Sequence, residues 1–234
     1  MSKIAKIGLV ILVLILIIIF IVVYFNNRNK NQTPAQTTPT ETEKKDLSNI
    51  DPQQYSTLLG VNGTNFTKAQ TQALVWKKTA QFVFLKVQIP ENLNPKQVTE
   101  TYVFDSADSP LMYWTIGYDL DGNSIRALIY KADFLQDETL KKINTQYWQT
   151  DWLTSFQKAD KAGGKEFRDK YKDDLDITAN LTYDQTTSFL SWVITYTSIS
   201  TKDTKTIKVN ANTGEIIKEE QPQNNQENNQ NTQT

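Results

Sequence analysis

The run from Ile7 to Phe25 constrains this chain more than any other segment. Every residue in it is apolar or nearly so, with Gly8 and Tyr24 the mildest exceptions. It has no polar face, so nothing in it would orient a surface helix on a core. About 19 residues at roughly 1.5 Å each reach about 28 Å, close to the hydrocarbon thickness of a bilayer. A cleaved signal peptide would have a shorter apolar stretch followed by small residues in an Ala-x-Ala-like pattern. This run instead exits through Tyr24, Phe25, Asn26 and Asn27. The sequence therefore predicts an uncleaved signal-anchor: a transmembrane helix over 7–25 behind a short cytoplasmic N-terminus, 1–6. Lys3 and Lys6 before the run nearly balance Arg28 and Lys30 after it, so flanking charge sets the orientation only weakly. The short leading segment favours a cytoplasmic N-terminus, which gives a single-pass cell-membrane protein with an extracytoplasmic C-terminal domain.

The segments on either side of the remaining chain are polar. Residues 26–47 run through Asn, Gln, Thr, Pro, Glu and Lys, and such a stretch cannot bury enough surface to offset the entropy of ordering. Its Thr33 to Thr40 portion, with two prolines, reads as an extended, stiff spacer. Residues 219–234 are rich in Asn and Gln and read as a disordered tail. The folded part is expected between these, over 48–218.

Within it, hydrophobic periodicity marks the elements. Phe66 to Thr79 reads as a helix with Ala69, Ala73, Leu74 and Trp76 on one face. Phe82 to Ile89 alternates as a strand, and Pro90 and Pro95 punctuate the loop after it. Thr101 to Asp105 is a short strand. Leu111 to Tyr118 and Ser124 to Lys131 form a hairpin around Asp121 and Gly122, a turn signal. The same order then recurs. Asp151 to Ala162 is a helix ended by Gly163 and Gly164, which suit a left-handed cap. Lys165 to Tyr171 is a second helical piece, Asp176 to Tyr183 a strand, and Phe189 to Ser198 with Thr204 to Asn210 a second hairpin. The expected fold is α+β: the N-terminal transmembrane helix followed by a duplicated unit of a helix packed on antiparallel β-sheet, over 48–135 and 136–218.

Composition excludes much chemistry. The chain of 234 residues has neither histidine nor cysteine. That removes the commonest general base, the His-dependent nucleophile triads, thiol catalysis and nearly every transition-metal site. No cofactor is expected. A net charge of −1 gives no global field for nucleic acid.

Ser191 to Tyr196, with Trp192 and Tyr196, followed after a hairpin by Ile207 to Ile216 with its Asn212, Thr213, Gly214, Glu215 turn, resembles the end of a PepSY module. Asn210 stands where that family usually has Asp. The helix from Phe156 to Gly164 is similar to the family's leading helix. Ala69 to Asp133 resembles a divergent copy, with Ala132, Asp133 and Phe134 in place of the Thr-Gly-Glu turn. The resemblance implies tandem helix-on-sheet repeats in a bacterial extracytoplasmic protein that binds or restrains other proteins, peptidases among them, rather than catalysing.

Several residue groups remain to be weighed. Asp119, Asp121 and Asn123 suggest a calcium loop, but Ser124 and Tyr130 stand where the glycine and the bidentate Glu belong, so a turn is expected. Asp173, Asp174 and Asp176, beside Lys170 and Lys172, read as a solvated connection. Lys158, Lys161, Lys165 and Arg168 lie in a basic run that could meet an acidic partner. Trp148 and Trp152, i and i+4 near the junction of the halves, are expected to pack the repeats together, or to serve as partner-binding hot spots if exposed. The leading expectation is a non-enzymatic binding or regulatory module contacting an envelope protein such as a peptidase. The alternatives are a carboxylate-based hydrolase of cell-wall glycans or peptides, and a structural subunit of an envelope assembly. The sequence leaves the oligomeric state open.

Overall fold

The computed structural model describes residues 46–134, 140–183 and 188–218, all within one compact unit. Apolar alternation forms the strands, and Gly, Pro and Asx turns separate them. Helix α1 spans Thr64–Trp76. Strands β1 (Gln81–Ile89), β2 (Thr99–Asp105), β3 (Met112–Asp119) and β4 (Ser124–Tyr130) follow, then a single helical turn, α2 (Lys131–Phe134). Helix α3 (Trp152–Ala159) continues through a wide turn, Asp160–Gly164, into α4 (Lys165–Lys170). Strands β5 (Leu175–Tyr183), β6 (Leu190–Ser198), β7 (Thr204–Asn210) and the two-residue β8 (Ile216–Ile217) complete the order. Most of these elements start and stop within about two residues of the periodicity-based reading, as boundary fraying allows.

All eight strands belong to one antiparallel sheet in the order β4-β3-β2-β1-β5-β6-β7-β8. Two four-stranded meanders thus meet through their first strands, with Leu85 opposite Leu181 and Val87 opposite Ala179. On one face Phe82, Leu85, Val87 and Ile89 of β1 line up with Tyr102 and Phe104 of β2, and with Ile177, Ala179 and Leu181 of β5. Helix α1 packs towards β2 and β3, and α3 towards β6 and β7. Their apolar stripes, Phe66, Ala69 and Ala73 on α1 and Trp152, Leu153, Phe156 and Ala159 on α3, close the main core. The opposite face is mostly polar. It carries a small second cluster of Val83, Phe84, Val103, Tyr113 and Leu140, with Phe134 against it. A register shift between Phe82 and Phe84 lets β1 bury successive residues towards both clusters.

This architecture corrects the expected fold class. In place of two separate helix-on-sheet units, the described residues form one eight-stranded antiparallel sheet with few helices, and the main core draws on both halves. The physical reason is the β1–β5 pairing, which removes the free edge each half would otherwise present. The polar tether is also shortened. Leu47, placed within it by composition, is fully buried, and its N–H donates to the Leu93 carbonyl at 3.1 Å. The membrane reading is corrected as well. Among the described residues no helix is long and apolar enough to cross a membrane. The stretch 7–25 lies outside the described residues, as do the N-terminus 1–6, most of the tether and the tail 219–234. Single-pass anchoring, and the extracytoplasmic location built on it, have no support among the described residues.

Candidate functional site

The residues singled out by sequence go to different places. Trp148 and Trp152 are buried, at 1% and 0% exposure, so neither can meet a partner from outside. Trp148 lies among Phe66, Phe82 and Trp192, joining aromatic rings from both halves. Trp152 turns its indole N–H to the Glu100 carboxylate at 2.7 Å. Arg168 forms a two-point pair with the buried Asp160, at 2.8 and 2.7 Å. Lys165 pairs with Asp169 one helical turn on. Lys158 donates to the Gly214 carbonyl at 2.6 Å and pins a turn. Lys161 is exposed. Of the basic run, Lys158 and Arg168 are engaged in partly buried contacts, while Lys161 and the Lys165–Asp169 pair are exposed.

The acidic groups are structural in the same way. Asp174 accepts from the Ser198 and Ser200 hydroxyls, at 2.6 and 2.5 Å, and these bonds hold its carboxyl below the usual range. Asp176 accepts from Gln88 at 2.6 Å. Asp119 accepts from the Asp121 and Asn123 amides and from the Asn123 side chain, closing the β3–β4 turn over Gly122 with its φ of 84°. No three His, Cys, Asp or Glu residues gather into a metal-holding group among the described residues.

A constellation that the sequence reading missed sits in the core. Glu100 on β2 is fully buried. One carboxylate oxygen accepts from the Asn65 amide at 2.8 Å and the Tyr102 hydroxyl at 3.0 Å, and the other accepts from Trp152. Burial pushes its carboxyl up, and the three donors pull it only part of the way back. The signal was present in the alternation: Glu100 shares its face with Tyr102 and Phe104. Sealed from solvent, it ties α1 and α3 to the sheet rather than facing a substrate.

The open site lies at one end of the second meander. Tyr147, Tyr183, Ser188, Phe189, Leu190, Asn210, Asn212 and Thr213 line a cleft of about 510 Å³. Each wall is fixed locally. Tyr147 ends a short 3-10 turn, Thr145–Tyr147, capped by the Asn144 side chain. The Asn144 N–H donates to the Tyr183 hydroxyl at 3.0 Å and sets that ring. The Asn210 side chain accepts from the Asn212 and Thr213 amides, while its carbonyl accepts from the Gly214 N–H at 2.7 Å. Gly214 has a φ of 71°, the left-handed conformation this turn needs. The Gln149 and Thr150 amides both donate to the Ala211 carbonyl, which ties the Tyr147 wall to the turn. The Tyr147 and Phe189 side chains stay half exposed above this frame, at 50% and 57%. The cleft thus offers aromatic surface, hydroxyls and side-chain amides, with no carboxylate or lysine among the described residues of its wall. Sequence reading missed it because Tyr147, Tyr183 and Phe189 come from three separate segments.

No family model matches the chain, and neither does any curated protein or solved structure.

Proposed function

We propose that this protein is a non-catalytic binding module that contacts or restrains another protein by gripping an extended peptide segment in the cleft of Tyr147, Tyr183 and Phe189. The observation that carries this reading is the cleft wall itself: Tyr147, Tyr183 and Phe189 share it with Asn210, Asn212, Thr213 and Ser188, and no acid or base stands among its described residues. Glycosidic hydrolysis needs two carboxyl groups about 5 to 10 Å apart across a groove. The smaller cleft near β3 and β4 holds one acid, Asp119, already engaged by its turn. Aromatic-lined grooves with amide donors suit extended, proline-containing peptides, whose low conformational freedom reduces the entropy lost on binding. The PepSY resemblance of Ser191 to Ile216 points to the same class of role, and the Asn212, Thr213, Gly214, Glu215 turn that carries it forms one wall of the cleft.

The test is selection of a random dodecapeptide phage library on the purified full-length chain, with a Tyr147→Ala, Asn212→Ala variant as the counter-target. Enriched peptides that bind the native chain at least tenfold better than the variant, at unchanged melting temperature, support the reading. Absence of enrichment, or equal binding to the variant, overturns it.

A further inference from the structure

The two ends of the sheet are finished very differently. At one end the edge strand is β8, only two residues long. Short edge strands offer little for a foreign strand to pair with. At the other end β4 is seven residues long, and its register against β3 is unbroken from Met112–Tyr130 to Tyr118–Ser124. It carries no proline, lysine or bulge. Its apolar side chains are open to solvent: Ile125 is 82% exposed, Leu128 54% and Tyr130 58%. Leu111, beside its C-terminal end, adds another apolar side chain at 70%. Strand edges of this length normally carry several protective features against pairing, and here Arg126 is the one such feature among the described residues.

The direction of the free backbone groups follows from two hydrogen bonds. The Asp119 N–H donates to Asn123 O, and the Lys131 N–H to Leu111 O. Inward bonding to β3 therefore falls on the odd-numbered positions, and alternation turns the N–H and C=O of Ser124, Arg126, Leu128 and Tyr130 outward. Among the described residues nothing pairs with them.

We propose that β4 pairs antiparallel with β4 of a second copy of this chain, across a two-fold axis at Leu128, joining two sheets into one. The side chains of β4 are self-complementary in this register, which points to a second copy as the occupant. Arg126 is the one charged residue of β4. In this register Arg126 lies opposite Tyr130 of the second copy, a favourable cation–aromatic neighbour, and the two arginines stay far apart. Leu128 meets Leu128, and on the opposite face Ala127 meets Ile129. The outward groups of residues 126, 128 and 130 then exchange about six hydrogen bonds. The same protein already makes an edge-to-edge joint of this kind between β1 and β5. The dimer is closed, because the two-fold pairing uses the β4 edge of both copies.

The chain contains no cysteine, so a single introduced thiol reports its own neighbours. The full-length Leu128→Cys variant, treated with a short bis-maleimide, is expected to convert mostly to covalent dimer. A Val75→Cys variant, on an exposed position of α1, is expected to stay at background. A Leu128→Pro variant removes only an outward N–H, which edge strands tolerate. Its circular dichroism should match that of the native chain, while light scattering shows the native dimer replaced by monomer. Absence of crosslinking at Leu128→Cys, equal crosslinking at Val75→Cys, open polymers in place of a dimer, or a dimer that survives Leu128→Pro would each overturn the proposal.

Discussion

Replacing Trp152 by Phe removes the indole N–H that reaches the Glu100 carboxylate at 2.7 Å and leaves one oxygen of a fully buried acid without its donor. A hydrogen bond to an ionised group contributes about 1.5–3 kcal/mol, and one to a neutral group about 0.5–1.5 kcal/mol. Trimming indole to phenyl in a closed core adds roughly 1 kcal/mol of cavity cost. The expected loss is therefore about 2.5–4 kcal/mol where Glu100 is ionised in the folded state, and about 1.5–2.5 kcal/mol where it is neutral. Burial places the folded carboxyl above its unfolded value. The folded state thus holds its proton more tightly, and the contribution of Glu100 to stability is full below the unfolded value and lost as pH rises through the folded one. Removing a donor that favours the ionised form raises the folded value further and steepens this decline. The assay is urea unfolding of the full-length chain, native and Trp152→Phe, at acidic and at mildly alkaline pH. A larger loss at alkaline pH, abolished in a Glu100→Gln background, is the expected result. Equal losses at both pH values would refute the charge-linked role of this bond.

Other outcomes follow from close contacts around α4. A Cβ at Gly164 would stand 2.3 Å from the Tyr196 hydroxyl, so Gly164→Ala should lower stability by about 1–3 kcal/mol, read as a fall in melting temperature. The Tyr196 hydroxyl is buried without a hydrogen-bond partner among the described residues. Tyr196→Phe should therefore leave stability unchanged or raise it by about 1 kcal/mol in the same measurement. A marked loss would reveal a partner for that hydroxyl.

Local structure was legible in the sequence because each element carries its own cue. Alternation marked β5 to β7, and the Asp121, Gly122 and Asn212 to Glu215 turns bounded the hairpins. The joining of the halves was not legible, because strand pairing between distant segments leaves no local trace. One cue pointed to it. Phe82 to Leu85 are consecutive apolar residues, all buried, as expected of a strand covered on both faces rather than one at the edge of a small sheet. Trp148 and Trp152 were expected to pack two repeats together; Trp148 meets Phe66, Phe82 and Trp192 within one shared core, and the helical i, i+4 argument does not apply. Trp148 follows a 3-10 turn and Trp152 begins α3, so their rings face different neighbours. Glu100 was legible as an acid in an apolar alternation. The cleft was not, since its three aromatic residues become neighbours only once β5, β6 and the connection before α3 are in place.

The central joint has a consequence for how the chain comes to be folded. During synthesis β1 is complete long before β5, its far-downstream partner, has been made. Through that interval one edge of Phe82 to Ile89 stands unpaired, in a segment rich in phenylalanine and β-branched residues and thus prone to misassociation. Lys86 in its middle and Pro90 at its end are the residue types that interrupt such aggregation-prone runs. An effect of this kind acts on the nascent chain and is separate from the stability of the finished fold.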